Sequence, residues 1–186
     1  KTIPTTIDQF THRLSINEKP TAFPTVIRGS IKFDLHLRDF TINTMAFRLD
    51  GRHFGELYDF WGGLSDLKKG LVRVLHSLSF VDDPTRILRA VRFEQRFGFS
   101  IEKRTLELLH QARDLLNDVS GDRIRHELEL IIKEKAAPAI LSRMAELNLF
   151  PTIFPEVEWS EEIRHALERF HFEQPGDEWR LSVKEK

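Results

Sequence analysis

The stretch DDPTRILRAVRF, residues 82–93, decides the interpretation of this chain, because it predicts a helix with an apolar side and a basic side. Asp83 and Pro84 are typical of a helix start, since an Asp side chain accepts hydrogen bonds from free backbone N–H groups and Pro suits the first turn. Gly98 is a good C-terminal stop, so we predict a helix over 84–97. At about 100° per residue, four arginines share roughly a third of its circumference: Arg86, Arg89, Arg92 and Arg96. The other side carries Ile87, Ala90, Val91 and Phe97.

The composition bounds the class of protein. A chain of 186 residues suits one domain or two small ones. The formal net charge is −1, so any nucleic-acid binding must come from local clusters such as 86–104, which carries six Arg or Lys against two Glu. The absence of cysteine excludes disulfides and thiolate metal sites. No apolar run has the length of a membrane span and no signal peptide is visible, so we expect no membrane partner and a cytoplasmic location.

The first sixty residues have mixed strand and helix signals. We predict a strand over 5–14 and a short helix over 36–47. The segment 47–60 predicts a β-hairpin, because an Asp-Gly pair at 50–51 separates two apolar stretches.

Beyond residue 62 the pattern is helical. The predicted helices are 64–69 closed by Gly70, one through 106–116 capped by Ser100, 122–134 after Ser120, one opened by Pro138, and one opened by Ser160 with Glu161 and Glu162. The predicted fold class is therefore α+β, with a few strands and a short helix followed by a mostly α-helical part.

Asp83 and Arg86 together match the hydrogen-bonding edge of an amino-bearing nucleobase. A carboxylate accepts from the exocyclic amine of cytosine or adenine, and a guanidinium donates to the neighbouring ring nitrogen. Guanine and uracil reverse this pattern and would leave charged groups unpaired. The alternative is that Asp83 only caps the helix and that the arginines form its solvated face. The two interpretations partly coexist.

Four stretches of the chain carry a family resemblance: LRDFTINTMA at 37–46, LYDFWGGLSDLKKGLVRVL at 57–75, DDPTRILRAVRFEQRFGFSIE at 82–102 and GDRIRHELELII at 121–132. In order and spacing they resemble consecutive motifs of the bacterial tRNA nucleotidyltransferase and poly(A) polymerase family, which belongs to the class II polymerase-β-like nucleotidyltransferases. The resemblance runs from about Asp8 to about Leu149. The stretch HSLSFVDDPTR at 76–86 looks closest to the A-adding members.

The resemblance implies three regions. Residues 1–62 correspond to the C-terminal part of a nucleotidyltransferase head, 63–135 to a helical neck that recognises the base, and 136–186 to the start of an RNA-binding helical body. The family's Gly-Gly motif for the triphosphate and its Asp-x-Asp pair for two Mg²⁺ ions have no counterpart in this chain. We therefore expect a fragment that transfers no nucleotide by itself.

The resemblance also implies roles for single residues. Asp83 and Arg86 would template the base of ATP or CTP, and Asp8 would join the active-site carboxylates as a catalytic residue and a Mg²⁺ ligand. The remaining nucleotide contacts would be Arg38, Asp39 and Asn43 on the ribose, and Arg89 and Arg92 on the nucleotide and its phosphates. The acceptor would be the 3′ end of tRNA or another RNA. Leu37 and Thr44 depart from the family, which usually has Arg and Ala there.

Other polar residues are interpreted as structural. Asp59 and Asp66 are predicted helix caps, and Gly62 with Gly63 would permit a sharp passage from head to neck. By analogy with the family, a network between helices would hold the neck; its members are Arg123, Arg125 and Glu127.

Two rival functions remain open from the sequence. The same helices could form a non-catalytic nucleotide- or RNA-binding module. Alternatively, the arginine stripe could meet an acidic protein partner in an interaction domain.

Overall fold

The computed structural model describes residues 30–49, 51–156 and 159–169. The chain divides into two units, Lys1–Ser30 and Ile31–Lys186, and the elements below belong to the second. The strand predicted over 5–14, which contains Asp8, and residue Asp50 of the predicted turn lie outside the described residues.

The predicted hairpin is confirmed. Helix α1 (Ile31–His36) precedes two short strands, β1 (Met45–Phe47) and β2 (Leu57–Asp59). The strands pair antiparallel, with Met45 opposite Asp59 and Phe47 opposite Leu57. Their connection is longer than a two-residue turn and includes a 3₁₀ turn at Gly51–His53.

The short helix predicted over 36–47 is wrong. Helix α1 ends at His36, and a single 3₁₀ turn at Thr41–Asn43 precedes β1. Phe40 is fully buried and forms a β-bridge with Val74, and the Thr41 amide donates to the Arg73 carbonyl over 2.9 Å. These tertiary partners hold the backbone extended where the sequence pattern indicated a helix, and the β-branched residues of this segment have low helix propensity.

The arginine-bearing helix lies within a small parallel β-unit. The elements in order are α2 (Gly63–Lys69), β3 (Leu71–Val72), α3 (Ser79–Asp82), α4 (Arg86–Phe97) and β4 (Ser100–Ile101). Strands β3 and β4 pair in parallel, with α3 and α4 in the connection between them. The predicted stops are confirmed, because Gly70 and Gly98 end α2 and α4 in the left-handed conformation, at φ 66° and 64°.

Helix α4 begins at Arg86, two residues later than predicted, and its apolar side forms the centre of the hydrophobic core. Four of its side chains are fully buried: Ile87, Leu88, Ala90 and Val91. Phe97, which was placed on the same apolar side, is 42 % exposed.

Five further helices complete the described chain. They are α5 (Lys103–Ala112), α6 (Gly121–Ile132), α7 (Ala137–Glu146), α8 (Phe150–Ile153) and α9 (Glu161–Arg169). The predicted starts of α6, α7 and α9 are confirmed. None of the helices in the described parts of the chain has the length and apolar content that crossing a bilayer requires.

The predicted Ser100 cap of α5 is wrong. The Ser100 amide donates to the Gly70 carbonyl over 2.8 Å, so this residue belongs to β4. Glu102 caps the helix, since its Oε2 accepts from the Thr105 amide at 2.8 Å. After Ala112 the chain continues as a 3₁₀ helix, Arg113–Asp118.

The two glycines at the start of α2 are needed for different reasons, one for its backbone conformation and one for lack of space. Gly62 adopts φ 76°, which favours glycine, and a Cβ on Gly63 would lie 2.3 Å from the Thr41 carbonyl oxygen. Asp59 caps this helix as predicted, accepting from the amides of Gly63 at 2.7 Å and Leu64 at 3.0 Å.

The predicted capping role of Asp66 is wrong. Its buried carboxylate accepts from Thr41 Oγ1 at 2.7 Å and from Arg73 Nε at 2.9 Å. Asp66 therefore ties α2 to the segments before and after it.

The close approach at Gly63 predicts a stability effect. Gly63→Ala places a methyl group against a backbone oxygen that cannot move freely, so we expect the free energy of unfolding to fall by about 1–3 kcal/mol. Urea denaturation measures this. Gly121→Ala is the matched control, because a Cβ there meets open space. Equal stability of the two variants would contradict the close contact.

Candidate nucleotide-binding site

The arginine side of α4 faces carboxylates. The ion pairs in order along the helix are Arg89 with Asp39, Arg89 with Glu127 at 3.5 Å, Arg92 with Glu127 at 3.6 Å, Arg92 with Glu134 at 3.4 Å, and Arg96 with Glu134 at 3.0 Å. We name this alternating set of six residues the charge row. It joins α4 to α6, to the turn after α6, and to the segment between α1 and β1.

Asp39 forms one end of the charge row, and both oxygens of its carboxylate accept hydrogen bonds. Its buried carboxylate accepts from the Phe40 amide at 2.8 Å and from Asn43 Nδ2 at 2.7 Å through Oδ1. Its Oδ2 accepts from both Nε and Nη2 of Arg89. Burial, the largest single effect, lowers the pKa of Arg89, but the charges and hydrogen bonds of Asp39 and Glu127 together outweigh it, so this pKa lies above its ordinary value. The structure therefore brings Asp39, Asn43 and Arg89 together as one cluster.

Arg92 lies in the interior of the charge row, with only 9 % of its side chain exposed. Its guanidinium is placed between Glu127 and Glu134, which neutralise its charge. Arg92 is a predicted nucleotide contact, whereas its ion pairs are with α6 and the turn that follows it. Arg92 therefore stabilises the packing of α4 on α6.

Asp83 precedes α4, and one of its two carboxylate oxygens, Oδ1, accepts hydrogen bonds from other described residues. Its Oδ1 accepts from the Thr85 amide at 3.0 Å, from Thr85 Oγ1 at 2.7 Å and from Arg123 Nη2 at 2.7 Å. Among the described residues no group donates to Oδ2, and this atom is not among the buried unpartnered ones. Partial burial raises the pKa of Asp83, but the hydrogen bonds from Thr85 and the charge of Arg123 outweigh burial, so this pKa lies below its ordinary value. Asp83 thus keeps a charged, open acceptor at neutral pH.

Arg86 differs from the other arginines of α4. Its Nη2 donates to the Leu37 carbonyl at 3.2 Å and its Nη1 lies 3.4 Å from the Ser79 carbonyl. Carbonyl oxygens orient a guanidinium without neutralising it, and within the described chain no carboxylate forms an ion pair with Arg86. Its backbone amide donates to the Asp83 carbonyl at 3.1 Å, so the two residues are one turn apart.

Arg38 is the most open of the predicted contacts. Its side chain is 53 % exposed and pairs with Asp34 on α1 at 2.9 Å. It is adjacent to Asp39 in the chain, yet it takes no part in the charge row.

The predicted neck network is confirmed for two of its three members. Arg123 reaches Asp83, and Glu127 reaches Arg89 and Arg92. Arg125 instead pairs with Asp122 on its own helix, at 2.9 Å. Glu134 was not identified from the sequence, although it lies two helical turns after Glu127 and this spacing indicates the same face.

The described residues contain no group of three or more His, Asp or Glu side chains placed to hold a metal ion. Asp8, the residue predicted to bind Mg²⁺, lies outside them.

A cavity of about 1050 Å³ lies apart from the predicted nucleotide contacts. It is bordered by residues of α4, α7 and α9 and of the segments between them, including Glu94, Arg143 and Trp159. Arg143, one of its cationic side chains, pairs with Glu94 at 2.8 Å. None of the predicted nucleotide contacts lines it.

Comparison with known proteins gives two family matches. Residues 2–73 match the poly A polymerase head domain, and residues 98–160 match the "Probable RNA and SrmB- binding site of polymerase A". The first range includes the hairpin, and the second begins where α4 ends.

Individual relatives agree with these matches. The A-adding tRNA nucleotidyltransferase of Geobacter sulfurreducens is 45 % identical over 153 residues, which cover 81 % of this chain and 17 % of that protein. The structure of the Thermotoga maritima CCA-adding enzyme complexed with tRNA has a TM-score of 0.71 at 50 % identity, covering 76 % of this chain and 35 % of that one. The structure of a CCA-adding enzyme complexed with ATP has a TM-score of 0.72 at 51 % identity, covering 74 % of this chain and 34 % of that one.

The fold and the matched regions define a head and an RNA-binding region of the poly(A) polymerase type. The chain belongs to the tRNA nucleotidyltransferase and poly(A) polymerase family. It spans between about a sixth and about a third of the length of the relatives described above.

The lowered pKa of Asp83 predicts a pH-dependent contribution to stability. A depressed pKa in the folded state means that the ionised carboxylate stabilises the fold above the unfolded-state pKa, and that this stabilisation is lost as the pH falls through the folded value. We expect Asp83→Asn to lower the free energy of unfolding at pH 7, and the difference from the parent chain to shrink below the ordinary value of 3.8. Urea denaturation between pH 7 and pH 3 measures this. A difference that does not change with pH would contradict it.

The burial of Arg92 predicts a structural role. Arg92→Met leaves Glu127 buried with less compensating charge, so we expect a loss of about 3 kcal/mol in the free energy of unfolding. Arg125→Met is the matched control, because Arg125 is 71 % exposed and pairs only with Asp122 among the described residues; we expect less than about 0.5 kcal/mol there. Equal, small losses in both variants would show that Arg92 is dispensable to the fold.

Proposed function

We propose that this chain is part of a template-independent RNA nucleotidyltransferase that adds AMP, CMP or both to the 3′ end of tRNA or another RNA. ATP and CTP are the proposed substrates. The observation that carries the proposal is the open Oδ2 of Asp83 next to Arg86, which has no carboxylate partner among the described residues. The family membership and the names of the relatives support the reaction class.

The chemistry of base selection follows from these two groups. Asp83 Oδ2 would accept a hydrogen bond from the exocyclic amine of adenine or cytosine, and Arg86 would donate to the adjacent ring nitrogen. Thr85 and Arg123 would hold the carboxylate in place through its other oxygen. Guanine or uracil would set a carbonyl oxygen against the carboxylate, which leaves a desolvated charge without a partner.

The remaining contacts are proposed with different roles. Arg38, exposed beside the site, is our candidate for the ribose hydroxyls. Asn43 orients the Asp39 carboxylate, which holds Arg89, so a direct contact of Asp39 with the ribose requires the Asp39–Arg89 pair to open. Arg89 would then be the donor that meets the nucleotide, while Arg92 supports it from the interior.

Asp8 and Mg²⁺ remain expectations from the family resemblance, and none of the steps above depends on them. The region boundaries at 62/63 and 135/136 also remain proposals. Because the chain has no Asp-x-Asp pair, we expect it to bind nucleotides without transferring them.

The test is titration of the 186-residue chain with the four nucleoside triphosphates. We expect tighter binding of ATP and CTP than of GTP and UTP, and a loss of at least about ten-fold in Asp83→Ala and Arg86→Ala, as for hydrogen bonds to charged groups. Arg125→Ala, exposed on α6, is the control and should bind like the parent chain.

Equal binding of all four nucleotides would contradict the base-selection proposal. A non-catalytic binding module would keep the same preference in the intact protein without transferring nucleotides to RNA. Binding of an acidic protein in place of any nucleotide would favour the interaction domain.

A further inference from the structure

Five aromatic rings form a continuous row beside the base-selecting pair. Their centroids are 6.0 Å apart for Tyr58 and Phe60, 5.6 Å for Phe60 and Trp61, 5.6 Å for Trp61 and His36, and 5.5 Å for His36 and His76. Trp61 and His36 are stacked with 24° between their planes. We name this set the aromatic row.

The aromatic row ends at the candidate nucleotide site. His76 Nε2 lies 3.7 Å from the carboxylate of Asp82, the neighbour of Asp83. His36, the ring next to His76 in the row, precedes Leu37, whose carbonyl accepts from Arg86. The rings near the base-selecting pair therefore come from three separate segments. These are α1, β2 with the residues after it, and the loop before α3.

The rings are not part of the hydrophobic core. Phe60 is 42 % exposed, the His76 side chain is 33 % exposed, and His36 is exposed as well. Tyr58 and Trp61 are half-buried. Core packing therefore does not account for this alignment, and partly exposed aromatic rings outside the core favour a stacking partner.

Two cations lie near the row, and two carboxylates do as well, Asp34 beside Arg38 and Asp82 beside His76. Lys32 Nζ lies 5.6 Å from the centroid of Phe60, and the exposed Arg38 is two residues from His36. Aromatic faces combined with nearby cations are the features with which proteins bind single-stranded nucleic acid, because bases stack on the rings and the cations attract phosphates.

We propose that the aromatic row binds the unpaired 3′-terminal nucleotides of the acceptor RNA by stacking. The inference rests on the proposed function, since the incoming base held at Asp83 and Arg86 must meet the RNA 3′ end, and the row leads to that point. A base already held by its edge at Asp83 and Arg86 occupies one end of the row only. The length of the row suits more than one further nucleotide.

The experiment measures binding of two RNA stem-loops to the 186-residue chain by fluorescence anisotropy. One stem-loop carries three unpaired 3′ nucleotides and the other is blunt. We expect tighter binding of the first, and a loss of about ten-fold in Trp61→Leu for that RNA alone, because one stacking surface is removed. Trp61→Phe, which keeps an aromatic face, should retain most of the affinity.

A matched pair controls for exposed aromatic residues in general. Phe60 and Phe97 are both 42 % exposed, but Phe97 lies at the end of α4 and contacts Phe93 and Phe99. Phe60→Leu should weaken binding of the RNA with the unpaired end, and Phe97→Leu should not. Circular dichroism verifies folding, and His76→Leu replaces Trp61→Leu if that variant does not fold.

Other outcomes overturn the inference. Equal loss on both stem-loops, or no preference for the unpaired end, would mean that the row does not stack on terminal bases. A loss of ATP binding in Trp61→Leu with RNA binding unchanged would assign the row to the incoming nucleotide. The nucleotide preference measured with Asp83 and Arg86 variants is independent of these results, so the two proposals fail separately.

Discussion

The charge row between α4 and its acidic neighbours is the constraint on which the described fold depends. Its members come from residues 39, 89–96 and 127–134, so it joins segments that are far apart in the chain. Ion pairs in a poorly solvated region are costly to break singly, because the partner left behind keeps a charge without compensation. The apolar side of α4 supplies the hydrophobic stabilisation, whereas the charge row restricts how α4 can rotate and slide against α6.

The same constraint separates the four arginines, although their spacing makes them equivalent in sequence. Arg89, Arg92 and Arg96 each lie opposite a carboxylate from another segment. Arg86, at the N-terminal end of the helix, is oriented by two backbone carbonyls. A carbonyl fixes the direction of a guanidinium and leaves its full charge. Arg89, Arg92 and Arg96 are therefore paired within the fold, and Arg86, at the end nearest Asp83, is the one whose charge no carboxylate of the described residues offsets.

Local signals predicted the elements whose causes are local. The hairpin, the stops at Gly70 and Gly98 and the start of α6 depend on turn and capping residues within a few positions. The helix predicted over 36–47 failed because Phe40 pairs with Val74, a partner that lies far along the chain. The Ser100 cap failed because Ser100 is recruited to a strand by Gly70. The one-turn separation of Asp83 and Arg86 was accessible from spacing. The contact of Asp39 with Arg89 and the aromatic row depend on tertiary packing that spacing does not encode.

If Asp83 reads the base as we propose, the three donors on its Oδ1 have a consequence for selection between the two amino bases. A carboxylate anchored through one oxygen cannot turn about its Cβ–Cγ bond, so it offers a single acceptor at one angle. Adenine and cytosine present the same order of donor and acceptor at that angle. They differ in the size of the ring system between this edge and the sugar. A purine extends the glycosidic bond further from the reading edge than a pyrimidine does. Under the proposed function, a choice between A and C therefore depends on the distance from this reading edge at which the sugar is bound.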